Sequence, residues 1–214
     1  MTPRHGDGPP SMTRVVGDIS ISLDGFVTGP NPGPDNGLGD GGEALHTWAF
    51  SDDPVDQEQL RTATARSGAV ILGRRLFDVV DGPQGWDDEV GYGAREVGTP
   101  PFFVVTSSVP ARTRLSFWTF VTTGLPDAVD QARSAVREAD EATGVDRDVV
   151  LMGGGATVGS ALDAGLLDVL VLHLSPVVLG AGIPLFAGGR RHDLVQRTVT
   201  PSTTAVHIVY DVER

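Results

Sequence analysis

The sequence predicts a single three-layer α/β/α domain around a mixed sheet. Three observations predict it. Strand-like and helix-like segments alternate along nearly the whole chain, with no internal repeat. Residues 69–72, 102–105 and 149–152 are short and apolar throughout, as strands covered on both faces are. The last run, 203–212, alternates instead: Val206, Ile208, Tyr210 and Val212 lie on one face, Ala205, His207 and Asp211 on the other.

The elements follow in order. Residues 15–23 alternate and then meet Asp24-Gly25, a turn signal, with Phe26-Val27 beyond. Residues 29–42 are dense in Gly, Pro, Asn and Asp, too long a stretch for a simple connection, and so either functional or unstructured. Residues 45–50 read as packed. Asp53 and Pro54 read as N-cap and first residue of a helix to about Ser67. The strand 69–72 ends in Gly73, and Arg74-Arg75-Leu76-Phe77 opens a helix. A second loop, 81–101, carries Trp86 and several acids. The strand 102–105 ends in Thr106-Ser107-Ser108, and 117–122 is a further strand. Residues 126–142 have helical periodicity, with Ala128, Val129, Ala132, Ala135 and Val136 on one face. After the strand 149–152 come three glycines and a short helix, 157–164. Residues 167–174 form another strand.

Composition bounds the function. A chain of 214 residues suits one α/β domain or two small ones; the alternating elements favour one, with residues 1–13 expected to be a flexible tail and 14–214 the domain. No apolar stretch approaches the ~20 residues a membrane helix needs. Residues 1–12 are Pro/Gly-rich and polar, without the apolar core of a signal peptide, so the cytoplasm is the expected compartment. With no cysteine, disulfides, thiolate metal sites and cysteine nucleophiles are excluded. A net charge of −12 argues against a general nucleic-acid binder. All 16 basic residues are arginine, so neither a P-loop lysine nor a Schiff base is open to this chain. Any phosphate would be held by Arg, hydroxyls and backbone.

Gly153-Gly154-Gly155 is the most informative stretch. Glycines at the carboxyl end of a buried strand let backbone approach a ligand closely and adopt positive φ. The helix that follows offers unpaired N–H groups and a partial positive charge, which suit phosphate. The bland alternative is a tight strand-to-helix turn. Two other strand ends share this chemistry. Gly73-Arg74-Arg75 supplies a helix start with two guanidiniums, and Arg makes forked, charge-assisted bonds to phosphate. Thr106-Ser107-Ser108 supplies donors for a second phosphate or a ribose. In an open α/β sheet, ligands bind outside the carboxyl ends of parallel strands. Two phosphate sites and a Gly-rich turn suggest a dinucleotide, with a 2′-phosphate as one form. The Rossmann fingerprint fails, because Ala156-Thr157-Val158 follows the glycines and no G-x-G-x-x-G register fits.

These motifs, in this order, resemble the dihydrofolate reductase-like superfamily. The nearer match is the reductase domain at the C-terminus of riboflavin-biosynthesis deaminase-reductases and its stand-alone relatives. The matching pieces are Ile19-Ser20-Ile21-Ser22-Leu23-Asp24-Gly25-Phe26-Val27, Val70-Ile71-Leu72-Gly73-Arg74-Arg75-Leu76-Phe77, Val104-Val105-Thr106-Ser107, Met152-Gly153-Gly154-Gly155-Ala156, and the stretch from Leu174-Ser175-Pro176 to Pro184-Leu185-Phe186. They span about residues 15–212. The resemblance implies an eight-stranded, mostly parallel mixed sheet binding NADPH across its strand ends. Gly73, Arg74 and Arg75 would meet the pyrophosphate and 2′-phosphate, and Thr106 and Ser107 the adenosine end. Gly153, Gly154, Gly155, Ala156, Thr157 and Val158 would run beside the pyrophosphate and nicotinamide ribose, the paired glycines holding an unusual peptide. Asp24 and the loop 29–48 would face nicotinamide and substrate, and relatives are commonly homodimers. Dihydrofolate reductases proper carry a carboxylate on the first helix. Here that region reads Ala44-Leu45-His46-Thr47-Trp48, with Glu43 and Asp52 nearby.

On the substrate half, Asp24, Phe26 and Trp48 are the expected contacts, and Asp24 and His46 the candidate proton donors, helped by an ordered water. Each has a structural alternative: Asp24 as a turn residue, His46 packed beside Trp48, and Trp48 as a core plug. His173 reads as a satisfied sheet residue. His207, opposite the apolar stripe, faces solvent or another layer. Asp35, Asp40 and Glu43 form an acidic loop, but no metal-ligand spacing or hydrolase elbow is present. The expected function is NADPH-dependent hydride transfer to a small heterocycle, pterin- or pyrimidine-like, or to a carbonyl or imine. The alternative is an NADP(H)-binding module without turnover; a flavin-dependent relative stands third.

Overall fold

β1 (Val15–Ser22) lies inside the main sheet, with a parallel strand on each side. The computed structural model describes residues 13–83, 85–86 and 99–213. The tail 1–12 and residues 87–98 of the second loop lie outside the described residues. After β1 come β2 (Phe26–Thr28), a 3-10 helix (Gly42–Phe50), α1 (Pro54–Arg66), β3 (Ser67–Gly73) and α2 (Arg74–Val80). Then follow β4 (Phe102–Val105), β5 (Trp118–Val121), α3 (Leu125–Thr143), β6 (Asp148–Leu151) and α4 (Gly155–Asp163). The chain closes with β7 (Val169–Ser175), β8 (Ile183–Pro184), β9 (Leu194–Pro201) and β10 (Val206–Val212). Eight strands form one sheet in the order β5-β4-β3-β6-β1-β7-β10-β9, and β2 and β8 form a small second sheet. Only β10 breaks the parallel run, pairing antiparallel with β7 and β9.

Each face of the sheet has its own cover. α3 and α4 lie on one face, where Ala128, Val129, Ala132, Val136, Val158 and Leu162 join Val15, Ile19, Ile21, Ile71 and Leu151 in the main core. The periodic face read from 126–142 is therefore the buried one, and the 19-residue helix ends at Gly144 in the left-handed conformation. On the opposite face, α2 covers one half through Phe77 and Val80 against Val70, Leu72, Phe102 and Val104. The 3-10 helix and α1 cover the other half. At the amino ends of the strands, buried Asp148 accepts from Arg14 (Nε 3.1 Å, Nη2 3.0 Å) and from Arg66 Nε at 2.9 Å.

Two elements carry little periodic signal. β9 lies at the sheet's edge and is exposed on both faces, with Val195 and Val199 nearly half exposed, so no period marks it. The 3-10 helix has weak amphipathicity, and it is anchored by Leu45 and Trp48.

Candidate functional site

The sheet opens a crevice beside β1. β1 pairs with β6 only from Val15↔Val149 to Gly17↔Leu151, while on its other side it stays paired with β7 as far as Ser22↔Ser175. β6 stops there, and Gly153 comes against β1 at the next turn: a Cβ on Gly153 would lie 4.0 Å from Ile19 Cδ1. The carboxyl ends of β1, β3, β4 and β6 therefore lie along one edge, the place where open α/β sheets bind ligands.

The glycines are needed there one by one. Gly153 has φ 130°, and the Gly153–Gly154 peptide is cis, the unusual peptide the resemblance implies. A Cβ on Gly155 would lie 2.7 Å from the Pro184 carbonyl oxygen and 3.1 Å from Leu185 Cα, so only glycine lets α4 start against β8. Gly154 is the N-cap, and its carbonyl accepts from the amides of Thr157 (2.9 Å) and Val158 (3.3 Å). The amides of Gly155 and Ala156 lie where a helix has no partner of its own to offer. Val158 points the other way: its side chain is fully buried beneath Gly17, so it supports the turn from the core side.

The β3 and β4 ends are tied together. Gly73 caps α2 in an extended conformation and packs against α4, since a Cβ would lie 2.6 Å from Thr157 Oγ1. Arg74 donates from Nε to Asp78 Oδ1 at 2.7 Å and from Nη1 to the Ser108 carbonyl at 3.2 Å and Thr106 Oγ1 at 3.4 Å. Thr106 in turn donates to the Ser108 carbonyl at 2.9 Å. Arg75 is exposed and has no ion pair or hydrogen bond among the described residues. The two arginines thus divide the work: Arg74 shapes the edge and Arg75 presents a free charge. Ser107 is exposed beside them.

On the other half, Asp24 is a latch. Its Oδ1 accepts from Ser22 Oγ at 2.6 Å and the Leu179 amide at 3.1 Å, and its Oδ2 from the Gly180 amide at 2.7 Å. The Ser22 hydroxyl first, with the two amides, holds the carboxyl below the ordinary aspartate range. Phe26 lies beside it, half-buried, and its amide donates to Ser22 Oγ.

The loop 29–41 is ordered by its own hydrogen bonds. The amide of Gly29 donates to the Leu38 carbonyl at 2.7 Å, and the Asp40 carboxylate accepts from Asn31 (2.7 Å) and Asn36 (2.8 Å). Gly37 sits against Val79, so the loop reaches α2. No group of metal-ligating side chains occurs among the described residues.

Trp48 is 6% exposed. Its ring stacks on His173 at 3.9 Å between centroids, and Nε1 donates to Ser20 Oγ at 2.9 Å. That is the core role weighed against substrate stacking. His46 is largely covered, and burial, with His173 nearby, pushes its imidazole below the ordinary value, so it is neutral at neutral pH. Its Nδ1 is buried without a partner among the described residues.

The sequence reading missed a chain of polar groups behind Trp48. His173 Nε2 meets Asp18 Oδ1 at 2.9 Å, His173 Nδ1 meets His207 Nδ1 at 2.7 Å, and His207 Nε2 meets Asp56 Oδ1 at 2.8 Å. Asp56 also accepts from Ser51 and Thr204. Burial opposes its charge, yet donors from Ser202, Ser51, Thr204 and His207 prevail and bring its carboxyl down to about 2. The layer that His207 faces is therefore the 3-10 helix and α1. No helix among the described residues is long and apolar enough to cross a membrane.

Comparisons with known proteins agree with this architecture. The family model described as the RibD C-terminal domain matches residues 13–208. A putative riboflavin biosynthesis protein from Shewanella sp. PV-4 superposes with a TM-score of 0.64 at 20% identity, covering 95% of this chain and 100% of that one. The riboflavin biosynthesis reductase Rib7 of Saccharomyces cerevisiae gives 0.57 at 14%, covering 97% and 93%. Dihydrofolate reductase from Enterococcus faecalis, solved with NADP(H), gives 0.53 at 13%, covering 95% and 98%. A search of curated protein sequences gives no match. The eight-stranded, mostly parallel sheet is that of the dihydrofolate reductase-like fold, and the chain belongs to the RibD C-terminal domain family.

Proposed function

We propose that this protein is an NADPH-dependent reductase that delivers hydride to a small flat heterocycle, pterin- or pyrimidine-like, or to a C=N or C=O group in a small polar molecule. One observation carries the reading. The crevice beside β1 is walled by a helix start that excludes any Cβ at Gly155 and flanked by the exposed guanidinium of Arg75, unpaired among the described residues. Close backbone approach, a helix N-terminus and a free Arg are what a pyrophosphate with a 2′-phosphate requires. Gly153 to Thr157 would line the pyrophosphate and nicotinamide ribose, with Val158 bracing them from the core. Gly73 and Arg75 would meet phosphate, Arg74 would hold the edge in shape, and Thr106 and Ser107 would flank the adenosine.

When bound, the cofactor supplies the hydride; the protein aligns the partners and excludes water. Asp24, ionised and fully engaged, would keep the turn at Leu179-Gly180 closed over the substrate end beside Phe26. Trp48 would brace the pocket from behind, and neutral His46 would offer a hydrogen bond there. The names of the Shewanella protein and Rib7, and the NADP(H) in the enterococcal reductase, support the class. A module that binds NADP(H) without turnover is the second reading, favoured by the engagement of every Asp24 oxygen. Titration with NADPH and NADH, followed by fluorescence and thermal shift, tests the proposal. Stabilisation by NADPH at least about tenfold tighter than by NADH is expected. No response to either at millimolar concentration would overturn it.

A further inference from the structure

The chain Asp56–His207–His173–Asp18 has three links, and each needs one hydrogen. Asp56 is ionised at neutral pH, so His207 Nε2 donates to it. Two lone pairs cannot face each other at 2.7 Å, so one hydrogen lies between the Nδ1 atoms. The third hydrogen lies in the His173 Nε2–Asp18 link of 2.9 Å. With that proton on His173, the two rings share one positive charge and Asp18 is an anion. With it on Asp18, both rings are neutral. These states differ only by a shift along one hydrogen bond, and removing the proton leaves two acceptors facing each other.

The chain has one open end. His173, His207 and Asp56 are at most 1% exposed, whereas the Asp18 side chain is 21% exposed. Asp18 follows Gly17, the last residue of β1 paired with β6, and precedes Ile19, which meets Gly153. Its Oδ2 has no partner among the described residues. It lies on the sheet face of Ser20, His173 and Trp48, the substrate half, rather than the α4 face. The ionisable groups around the rings are Asp18 from β1, Asp56 from α1 and His46 from the 3-10 helix.

We propose that Asp18 is the proton donor of the substrate half of the crevice, and that His173, His207 and Asp56 are positioning residues that hold its carboxyl through Oδ1 and leave Oδ2 open. The assignment rests on the reductase reading above. As the substrate's C=N or C=O carbon accepts hydride from the reduced nicotinamide, its π pair moves to nitrogen or oxygen. The O–H bond on Asp18 Oδ2 breaks, an N–H or O–H bond forms on the product, His173 Nε2–H on Oδ1 supports the carboxylate that remains, and water at the crevice mouth reprotonates Oδ2. This supplies the acid that Asp24, locked as an anion, does not.

The test needs no known substrate. Histidine-15N-labelled wild type and Asp18→Asn are compared by NMR, with 2,4-diaminopyrimidine as a flat basic probe, titrated with and without NADPH. The wild type should hold three link protons, the one between the Nδ1 atoms far downfield; Asp18→Asn should keep that proton, with its amide N–H filling the third link and both rings neutral. The probe should shift the His173 signals and bind Asp18→Asn at least about tenfold more weakly, with NADPH affinity unchanged within about twofold. His207→Gln should abolish the far-downfield proton and move the His173 15N shifts of the unliganded protein, a spectroscopic signature that a purely structural contact would not change. Equal probe affinity in both proteins, or unmoved His173 signals in the wild type, would overturn the assignment. Absence of NADPH binding by the wild type overturns the reductase reading and the donor role with it. The response of His173 to the probe alone separates that failure from a closed Asp18.

Discussion

The Arg74 Nη1 atom donates to the Ser108 carbonyl at 3.2 Å, tying the exit of β3 to the exit of β4. Arg75, next in sequence, stays exposed. Sequence alone cannot separate two adjacent arginines, but the structure does, and the separation is measurable. Arg75→Ala should weaken NADPH about tenfold or more while leaving NADH within about twofold, since a charge-assisted contact to phosphate is lost. Arg74→Ala should weaken both cofactors alike, because it frees the Thr106-Ser107-Ser108 turn. Binding isotherms of both variants with both cofactors decide the matter; the reverse pattern would exchange the two roles.

Gly155 is a steric requirement. Gly155→Ala places a Cβ 2.7 Å from a backbone oxygen that cannot swing aside. A loss of about 2 kcal/mol in urea unfolding is expected, the usual cost of overpacking, together with most NADPH affinity. Wild-type stability and affinity in this variant would show that the start of α4 can shift freely.

Asp56 ties α1 to β10 through His207. Asp56→Ala should cost about 3 kcal/mol at neutral pH, as removal of one partner from a buried charged network does. The pH dependence has a definite sign. A carboxyl brought down to about 2 in the folded state contributes stability that is fully present above the ordinary aspartate value, about 4. That contribution fades as pH falls from there toward about 2. The gap between wild type and Asp56→Asn in chemical denaturation should therefore be widest at pH 6–7 and should narrow toward pH 3, the pH values being rough bounds set by that window. A constant gap would contradict the account.

Asp24 holds two backbone amides. In Asp24→Ala, hydrogen exchange at Leu179 and Gly180 should accelerate roughly tenfold or more, with the strands unaffected, as expected for local opening of a turn. Exchange unchanged at both amides would mean that the turn is held by other contacts.

Asp148 gathers two arginines, but not equally. Asp148→Ala should cost about 1–2 kcal/mol, because two guanidiniums lose a shared acceptor but both are more than a third exposed and stay solvated. Arg14→Ala should cost under about 1 kcal/mol, since its side chain is 37% exposed and Arg66 remains. Paired thermal and urea melts of both variants check this ordering.

Much of the fold was legible because periodicity is local. The apolar runs at 69–72, 102–105 and 149–152 could only be buried strands. Ala128, Val129, Ala132 and Val136 marked the buried stripe of α3, and Asp53-Pro54 marked the start of α1, where Asp53 accepts from the Val55 amide at 2.8 Å. β9 was illegible because an exposed edge strand needs no alternation. The strand-end motifs proposed for the cofactor were visible for a related reason. Gly153-Gly154-Gly155 and Gly73-Arg74-Arg75 carry their chemistry within three consecutive residues.

The polar chain behind Trp48 was not legible. Asp18, Asp56, His173 and His207 are far apart in sequence, and each read singly is a bland strand or helix residue. What the sequence determined by itself was the order of the buried strands and the longer helices, the glycine turn and the arginine pair, because these depend on neighbours along the chain. What only the tertiary structure decided was which arginine is free, which carboxylate is latched and which histidines touch. Those outcomes depend on the register of β1 with β7 and of β7 with β10, which sets Ser20 beside His173 and His173 beside His207. A one-residue slip would turn these side chains to the opposite face of the sheet.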